Sequence, residues 1–344
     1  MSHRSRVSQR PTRHLVPAPV LSRLADLPPD ARVTVVRTGG LGDTILVLPT
    51  LAILRAADPA ATLTLVGSAW AEALRPLMAL PAHILHVDHA FPAAHRGRLE
   101  GERESSPVAA SHAIIVYTAT PESDFVAHVR RVCPGSVLVW PLTPPEGIHA
   151  ARHLANVIAS VSSDPDAVPA PTLRCLPELR LQGRQWLDRQ FGRGVCPVAI
   201  QPGAGGKRKC WPAHRFVEIA TLLDAPLLLI EGPADADACR EVTEHFAPSA
   251  PVVRAAGLSL PHLAALLVEC RGYVGNDSGV SHLAAALGVP TVAVFGPTDP
   301  AVWAPLGPEV SVVAPCGDEP WPMADDVLIA ARRLFGDGTP GVGA

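Results

Sequence analysis

The stretch from Tyr273 to Pro300, YVGNDSGVSHLAAALGVPTVAVFGPTDP, constrains the fold more than any other part of the chain. A short apolar approach leads into the polar turn Asn276, Asp277, Ser278 and Gly279. An amphipathic helix follows and is expected to stop at Gly288 and Pro290. Thr291–Phe295 is a second apolar run, closed by another polar turn at Gly296–Pro300. Strand, helix and strand in so short a span suit a βαβ unit of a parallel sheet, which binds its ligands at the carboxyl ends of the strands. Both polar turns are therefore expected on one rim.

The first of these turns has the chemistry of an anion site. Asp277 or Ser278 can cap the helix, Gly279 would let a ligand approach the backbone, and the unpaired amides of the first turn carry the positive end of the helix dipole. His282 lies one turn in. A cationic imidazole is disfavoured at a helix N-terminus, so His282 is expected to be neutral and to donate one hydrogen bond unless a bound phosphate draws a second proton. A well-capped helix without a ligand would read the same way.

Composition narrows the class. The chain has 344 residues, 48% of them apolar and 18% charged, enough for two domains with ordinary cores. No apolar run reaches the length of a membrane span, and a net charge of -3 argues against a general nucleic-acid binder. Cysteines at 133, 175, 196, 210, 239, 270 and 316 are scattered and form no CxxC pair, which suggests neither a zinc site nor a disulfide framework and fits a reducing cytoplasm. Lysine occurs only at Lys207 and Lys209 in a chain otherwise reliant on arginine. That placement suggests a role for a compact ammonium there.

Residues 1–28 are rich in Arg, Ser and Pro and are expected to form a disordered tail. The run RVTVVRTGGLGDTILVLPTLAILRAA from Arg32 reads as a strand, a glycine-rich turn (Gly39, Gly40, Gly42) and a helix starting near Asp43 or Thr44. Asp43 then stands at the mouth of the first strand, either as a functional acid or as a helix N-cap. GGLGD is not the GxGxxG dinucleotide fingerprint. Apolar runs at Leu63–Val66, Ile84–Val87, Ala113–Tyr117 and Val137–Trp140 continue a βαβα rhythm, with a charged loop expected from Phe91 to Pro107 and a helix from Ile148 to Val161.

A Pro-rich, aperiodic stretch near residues 162–180 marks the expected linker. The domains are accordingly drawn at 29–165 and 166–320, followed by a closing helix at 321–335 and a tail at 336–344. In the second half, strands are expected at Val198–Gln201 and Leu227–Ile230. Helices are expected at Ala213–Leu223, Ala236–Phe246 and Leu260–Glu269. The first of these strands runs into QPGAGGKRKCWPAHRF, where Gly203, Ala204, Gly205 and Gly206 leave the backbone accessible beside the charges of Lys207–Lys209. Parallel topology would put this loop on the rim of Asp277–His282, where both could meet one diphosphate.

GGLGDTILVLPTL, PGAGGKRKCWPAHRF, EGPAD at Glu231–Asp235 and NDSGVSHLAAALGVPTVAVFGPTDP resemble, in order and spacing, the motifs of glycosyltransferase family 9, the ADP-heptose heptosyltransferases of lipopolysaccharide core assembly. The resemblance implies an α/β chain of the GT-B fold, two Rossmann-like domains with parallel sheets facing across a cleft. It implies an inverting, metal-independent transfer without a cofactor, from a nucleotide-diphosphate sugar to a glycan or lipid-linked glycan. The setting would be cytoplasmic, with at most peripheral contact at the inner membrane face.

By the same resemblance Asp43 is the general base, with Gly40 and Gly42 on the acceptor side, and Lys209 is the phosphate-binding lysine. Ala204 and Gly205 offer backbone amides, Asp235 is placed near the ribose, Leu258 near the adenine, and Asp277, Ser278, Gly279 and His282 form the nucleotide-binding turn. A non-catalytic nucleotide-binding or scaffold protein on the same fold is the alternative, and the environment of Asp43 discriminates between them. A dinucleotide-dependent oxidoreductase would need the missing fingerprint.

Overall fold

A computed structural model of the chain describes residues 27–80, 82–92, 106–158, 168–232, 235–247 and 249–336. The first strand, β1 (Arg32–Val36), has the sequence RVTVV and is buried along four of its five residues, as a strand covered on both faces must be. It pairs in parallel with β2 (Thr62–Gly67) on one side and β4 (Ala113–Thr118) on the other, with Val35 opposite Leu65 and Ile115. Adding β3 (His83–His86) and β5 (Ser136–Pro141) gives a five-stranded sheet in the order β3-β2-β1-β4-β5. The order reverses between β1 and β4, so a crevice opens beyond the end of β1.

The second sheet repeats this logic with β6 (Val198–Gln201), β7 (Leu227–Glu231), β8 (Val252–Ala256), β9 (Gly272–Asn276), β10 (Thr291–Val294) and β11 (Val310–Val313) in the order β11-β10-β9-β6-β7-β8. Its reversal falls between β6 and β9, which align Val198 with Gly272 and Gln201 with Gly275. The Gly203–Lys209 loop leaves β6 and the Asp277–Gly279 turn leaves β9, so both stand at this second crevice. One apolar core runs from Val35, Leu65 and Ile115 through Leu41 and Ile45 to Leu283, Tyr273 and Leu228, uniting the facing sides of the two sheets. The outer faces have their own cores around Val116 and Val129 and around Val217 and Val327.

Several elements differ from the sequence reading. The first helix spans Leu41–Leu46 and starts two residues before Asp43, and a second begins at Leu48. Pro49, which has no N–H to return to the preceding turn, separates them. The Ile148–Val161 helix is confined among the described residues to Ala150–Ala155. Helix Pro177–Phe191 begins inside the expected linker. Its polar composition and mid-helix Gly183 hide its periodicity, yet a Cβ at Gly183 would lie 2.2 Å from the carbonyl of Ala265, so the glycine permits close helix contact. The strands β8 and β11 were not expected, because both are edge strands that stay partly exposed and lack a continuous apolar run. The closing helix begins at Ala324 rather than Trp321. The N-terminal tail to residue 26, most of the charged Phe91–Pro107 loop, the start of the linker and the C-terminal tail from residue 337 lie outside the described residues.

Candidate functional site

Both crevices open into one cleft of about 1050 Å³. Gly40, Gly42, Asp43 and Trp70 line it from the first sheet, and the second sheet contributes the Ala204–Lys209 loop, the Asp277–His282 turn and Pro297–Thr298. The expectation that the two polar turns around Asp277 and Thr298 share a rim is met by contact, since Thr298 Oγ1 donates to Asp277 Oδ2 at 2.8 Å.

Asp43 is the third residue of its helix, and the N-cap is Gly40. Its Oδ2 accepts from the Gly40 N–H at 2.9 Å, and its Oδ1 pairs with Arg37 Nη2 at 2.5 Å. Thus it steadies the helix start and still faces the cleft with a third of its side chain exposed. Gly39, at φ +140°, is required here, because a Cβ would stand 2.5 Å from Asp43 Oδ2. Arg37, missed from the sequence, is buried. Desolvation lowers its pKa, and the Asp43 carboxylate opposes that shift.

The expected ligand-side glycines divide into two kinds. A Cβ on Gly42 would meet the His282 ring at 3.0 Å, and one on Gly279 would lie 2.8 Å from Leu41 Cβ and 3.1 Å from the Gly42 nitrogen. Gly42 and Gly279 therefore allow the two helix starts to meet across the cleft floor. Gly279 also lines the cleft, so packing against Leu41 is a second reason for a glycine there. Gly40 is less tightly placed, with only Asp43 Oδ2 near its missing Cβ. Gly205 and Gly206 are different again, for a Cβ on either would meet nothing within 4 Å. Ala204 beside them is buried.

Lys209 closes the short turn Lys207–Lys209, and its Nζ donates to Asp277 Oδ2 at 2.7 Å. Asp277 is only 6% exposed and so holds its charge against two donors, Lys209 and Thr298. Asn276 sets this arrangement. Its Nδ2 donates to the carbonyls of Pro202 and Gly203, and its Oδ1 accepts from the Trp211 N–H at 2.9 Å, pinning both ends of the lysine loop to β9. Of the two possible caps, Ser278 is the one used, accepting from Ser281 N–H at 3.4 Å.

A buried polar hub lies beneath. Gln201 Oε1 accepts from the hydroxyls of Tyr273 and Ser278, each at 3.0 Å, while its Nε2 donates to Asp235 Oδ2 at 3.0 Å. Asp235 also accepts from the Gly232 N–H at 3.1 Å and is 4% exposed. It borders the cleft, and its carboxylate is held there by these inner partners. Leu258, expected near the adenine, follows the edge strand β8, packs half-buried against the core and stands outside the residues that line the cleft.

His282 is buried, and desolvation foremost pushes its pKa down to about 4, so it is neutral at pH 7 as expected. The hydrogen bond it was expected to donate is missing: buried Nδ1 has no partner among the described residues. Sequence reasoning also missed Gln201, Thr298, Trp70 and Trp303. Only the polar turn containing Thr298 carried a signal. Among the described residues no three His, Cys, Asp or Glu side chains gather to hold a metal ion, and no helix is long and apolar enough to cross a membrane.

Two parallel-sheet α/β domains enclosing a cleft between the ends of their strands define a protein of the GT-B class. The solved structure of Escherichia coli ADP-heptose lipopolysaccharide heptosyltransferase II has this fold, with a TM-score of 0.69 over 88% of this chain and 98% of its own at 20% identity. The glycosyl transferase family 9 structure from Veillonella parvula DSM 2008 gives 0.69 over 90% and 98% at 21% identity. The family model for glycosyltransferase family 9 (heptosyltransferase) matches residues 145–322, and the chain belongs to that family. Lipopolysaccharide heptosyltransferase 3 of Escherichia coli is 31% identical over 169 residues, which is 48% of this chain and 49% of that relative. The alignment thus spans about half the length of each protein.

Proposed function

We propose that this chain is an inverting, metal-independent glycosyltransferase that moves heptose from ADP-heptose to a hydroxyl of a cell-envelope glycan such as lipopolysaccharide core. The carrying observation is that one cleft brings Asp43 from the first sheet before Lys209 and the first turn of the Gly279–Ala286 helix from the second. Membership of the family and likeness to heptosyltransferases of lipopolysaccharide, one of them an ADP-heptose enzyme, support the donor and the acceptor class.

In this reading Asp43 accepts the proton of the acceptor hydroxyl while that oxygen attacks the anomeric carbon, a step worth about 10² to 10⁴ in rate. The bond from that carbon to the diphosphate breaks on the opposite face, and ADP leaves with the electron pair. Lys209, with Lys207 and Arg208 on the same turn, and the helix-start amides receive the growing charge. Gly205 and Gly206, which nothing among the described residues requires to be small, let the diphosphate reach their backbone. The enzyme works in the cytoplasm, with at most peripheral contact at the inner membrane.

A second reading, nucleotide binding without transfer, draws on the engagement of both Asp43 oxygens by Arg37 and Gly40. Asp43→Asn separates the two, because the amide oxygen can still accept from one of these donors. ADP release from ADP-heptose in the presence of lipopolysaccharide core should fall by about 10² or more, with the Kd for ADP held within about twofold. Unchanged turnover, or a large loss of ADP affinity, would remove the base assignment.

A further inference from the structure

Trp70 is a large apolar side chain of the cleft that the chemistry above leaves unused, and unlike Trp303, which packs half-buried against the core, it stands exposed. It is 43% exposed at the rim, on the same wall as Asp43. An exposed indole calls for explanation, because leaving so much apolar surface in water is unfavourable. Its indole N–H has no hydrogen-bond partner among the described residues. By contrast, buried Trp140 donates to the His153 carbonyl at 3.0 Å and Trp211 to that of Pro322 at 3.1 Å.

The position of Trp70 is held firmly. It lies in the helix Ala69–Leu74, whose Ala71 and Leu74 are fully buried. A Cβ on Gly67 would stand 2.6 Å from that of Ala71, so the helix start sits tight against the end of β2. Ser68, the N-cap, accepts from the Trp70 N–H at 3.4 Å and donates to the Gly39 carbonyl at 2.8 Å. One hydroxyl therefore couples the backbone of Trp70 to the turn that carries Asp43.

We propose that Trp70 is the platform on which the acceptor's pyranose ring stacks, a subsite that rests on the transferase reading above. A pyranose has an apolar C–H face and a polar rim of hydroxyls. An indole with an apolar face and an unused N–H matches both, and aromatic side chains with a few placed polar groups are the usual furnishing of such pockets. The face of the ring lies on Trp70, one hydroxyl of its rim is turned to Asp43, and the diphosphate side of the cleft remains with the second sheet. The acceptor rather than the donor is assigned because Trp70 shares its wall and its hydrogen-bonded frame with the proton acceptor.

The test is calorimetric titration of the full chain, saturated with ADP, with the delipidated core oligosaccharide of a heptose-deficient lipopolysaccharide. Trp70→Ala should weaken oligosaccharide binding by about tenfold or more, Trp70→Phe by no more than about threefold, and both should leave the Kd for ADP within about twofold. Unchanged oligosaccharide binding by Trp70→Ala overturns the proposal. So does a parallel loss of ADP affinity, or a wild-type protein that does not bind the oligosaccharide. Wild-type binding that Trp70→Ala abolishes, without any sugar transfer from ADP-heptose, upholds the platform and removes the transferase reading instead.

Discussion

Gln201→Leu tests whether the buried hub, rather than the lysine loop alone, builds the nucleotide side of the cleft. Leucine keeps most of the volume and removes three hydrogen bonds. Among the described residues Asp235 would keep the Gly232 N–H alone while 4% exposed, and a lost hydrogen bond to a buried charge costs about 1.5–3 kcal/mol. The hydroxyls of Tyr273 and Ser278 lose an acceptor but keep Ser281 Oγ at 3.2 and 3.3 Å, so each falls at the low end of the usual range, about 0.5–1 kcal/mol. Together the loss is about 2.5–5 kcal/mol. Urea unfolding followed by far-UV circular dichroism measures it, and ADP calorimetry should show weakened binding because Ser278, Asp235 and the two loops they anchor lose their common partner. A loss below about 1 kcal/mol with unchanged ADP affinity would refute the hub.

Lys209→Ala should weaken ADP by about tenfold or more while leaving adenosine unaffected, since only the phosphates meet the ammonium; equal weakening of both by calorimetry would remove the phosphate role. Gly279→Ala forces a methyl against Leu41 and should cost about 1–3 kcal/mol, whereas Gly205→Ala, with open space around it, should leave Tm unchanged and weaken ADP alone. The low pKa of His282 fixes a sign for acid sensitivity. Its folded-state value of about 4 lies below the unfolded value of about 6.5, so its contribution is complete above about pH 6.5 and is lost as pH falls towards 4. Between pH 7 and pH 5 this amounts to about 2 kcal/mol. His282→Gln should flatten the urea-measured pH dependence by that amount, with half-buried His149 and buried His153, whose pKa values are also lowered by burial, acting in the same direction.

Local pattern carried the architecture. VTVV, VAIQ and TVAV are short apolar runs bounded by glycine and polar turns, and they read as buried parallel strands because burial on both faces leaves no other pattern. The same logic placed Asp43, Lys209 and Asp277 at strand ends, and with them the rim of the cleft. Edge strands β8 and β11 escaped because partial exposure leaves no continuous apolar run, and the helix Pro177–Phe191 because its polar composition and Gly183 hide its periodicity. Partnership was decided only by tertiary structure. Lys209 and Asp277 are far apart in sequence, and nothing local says that Asn276 will draw their loops into an ion pair. Asp235 turns inward because Gln201 meets it from another strand, Arg37 pairs with Asp43 because the turn between them folds back, and Gly279 is small because Leu41 lies against it. A side chain's type limits which bonds it can make. Which of them it makes depends on the groups that folding brings within about 3 Å of it, and that distance is a property of the packed chain.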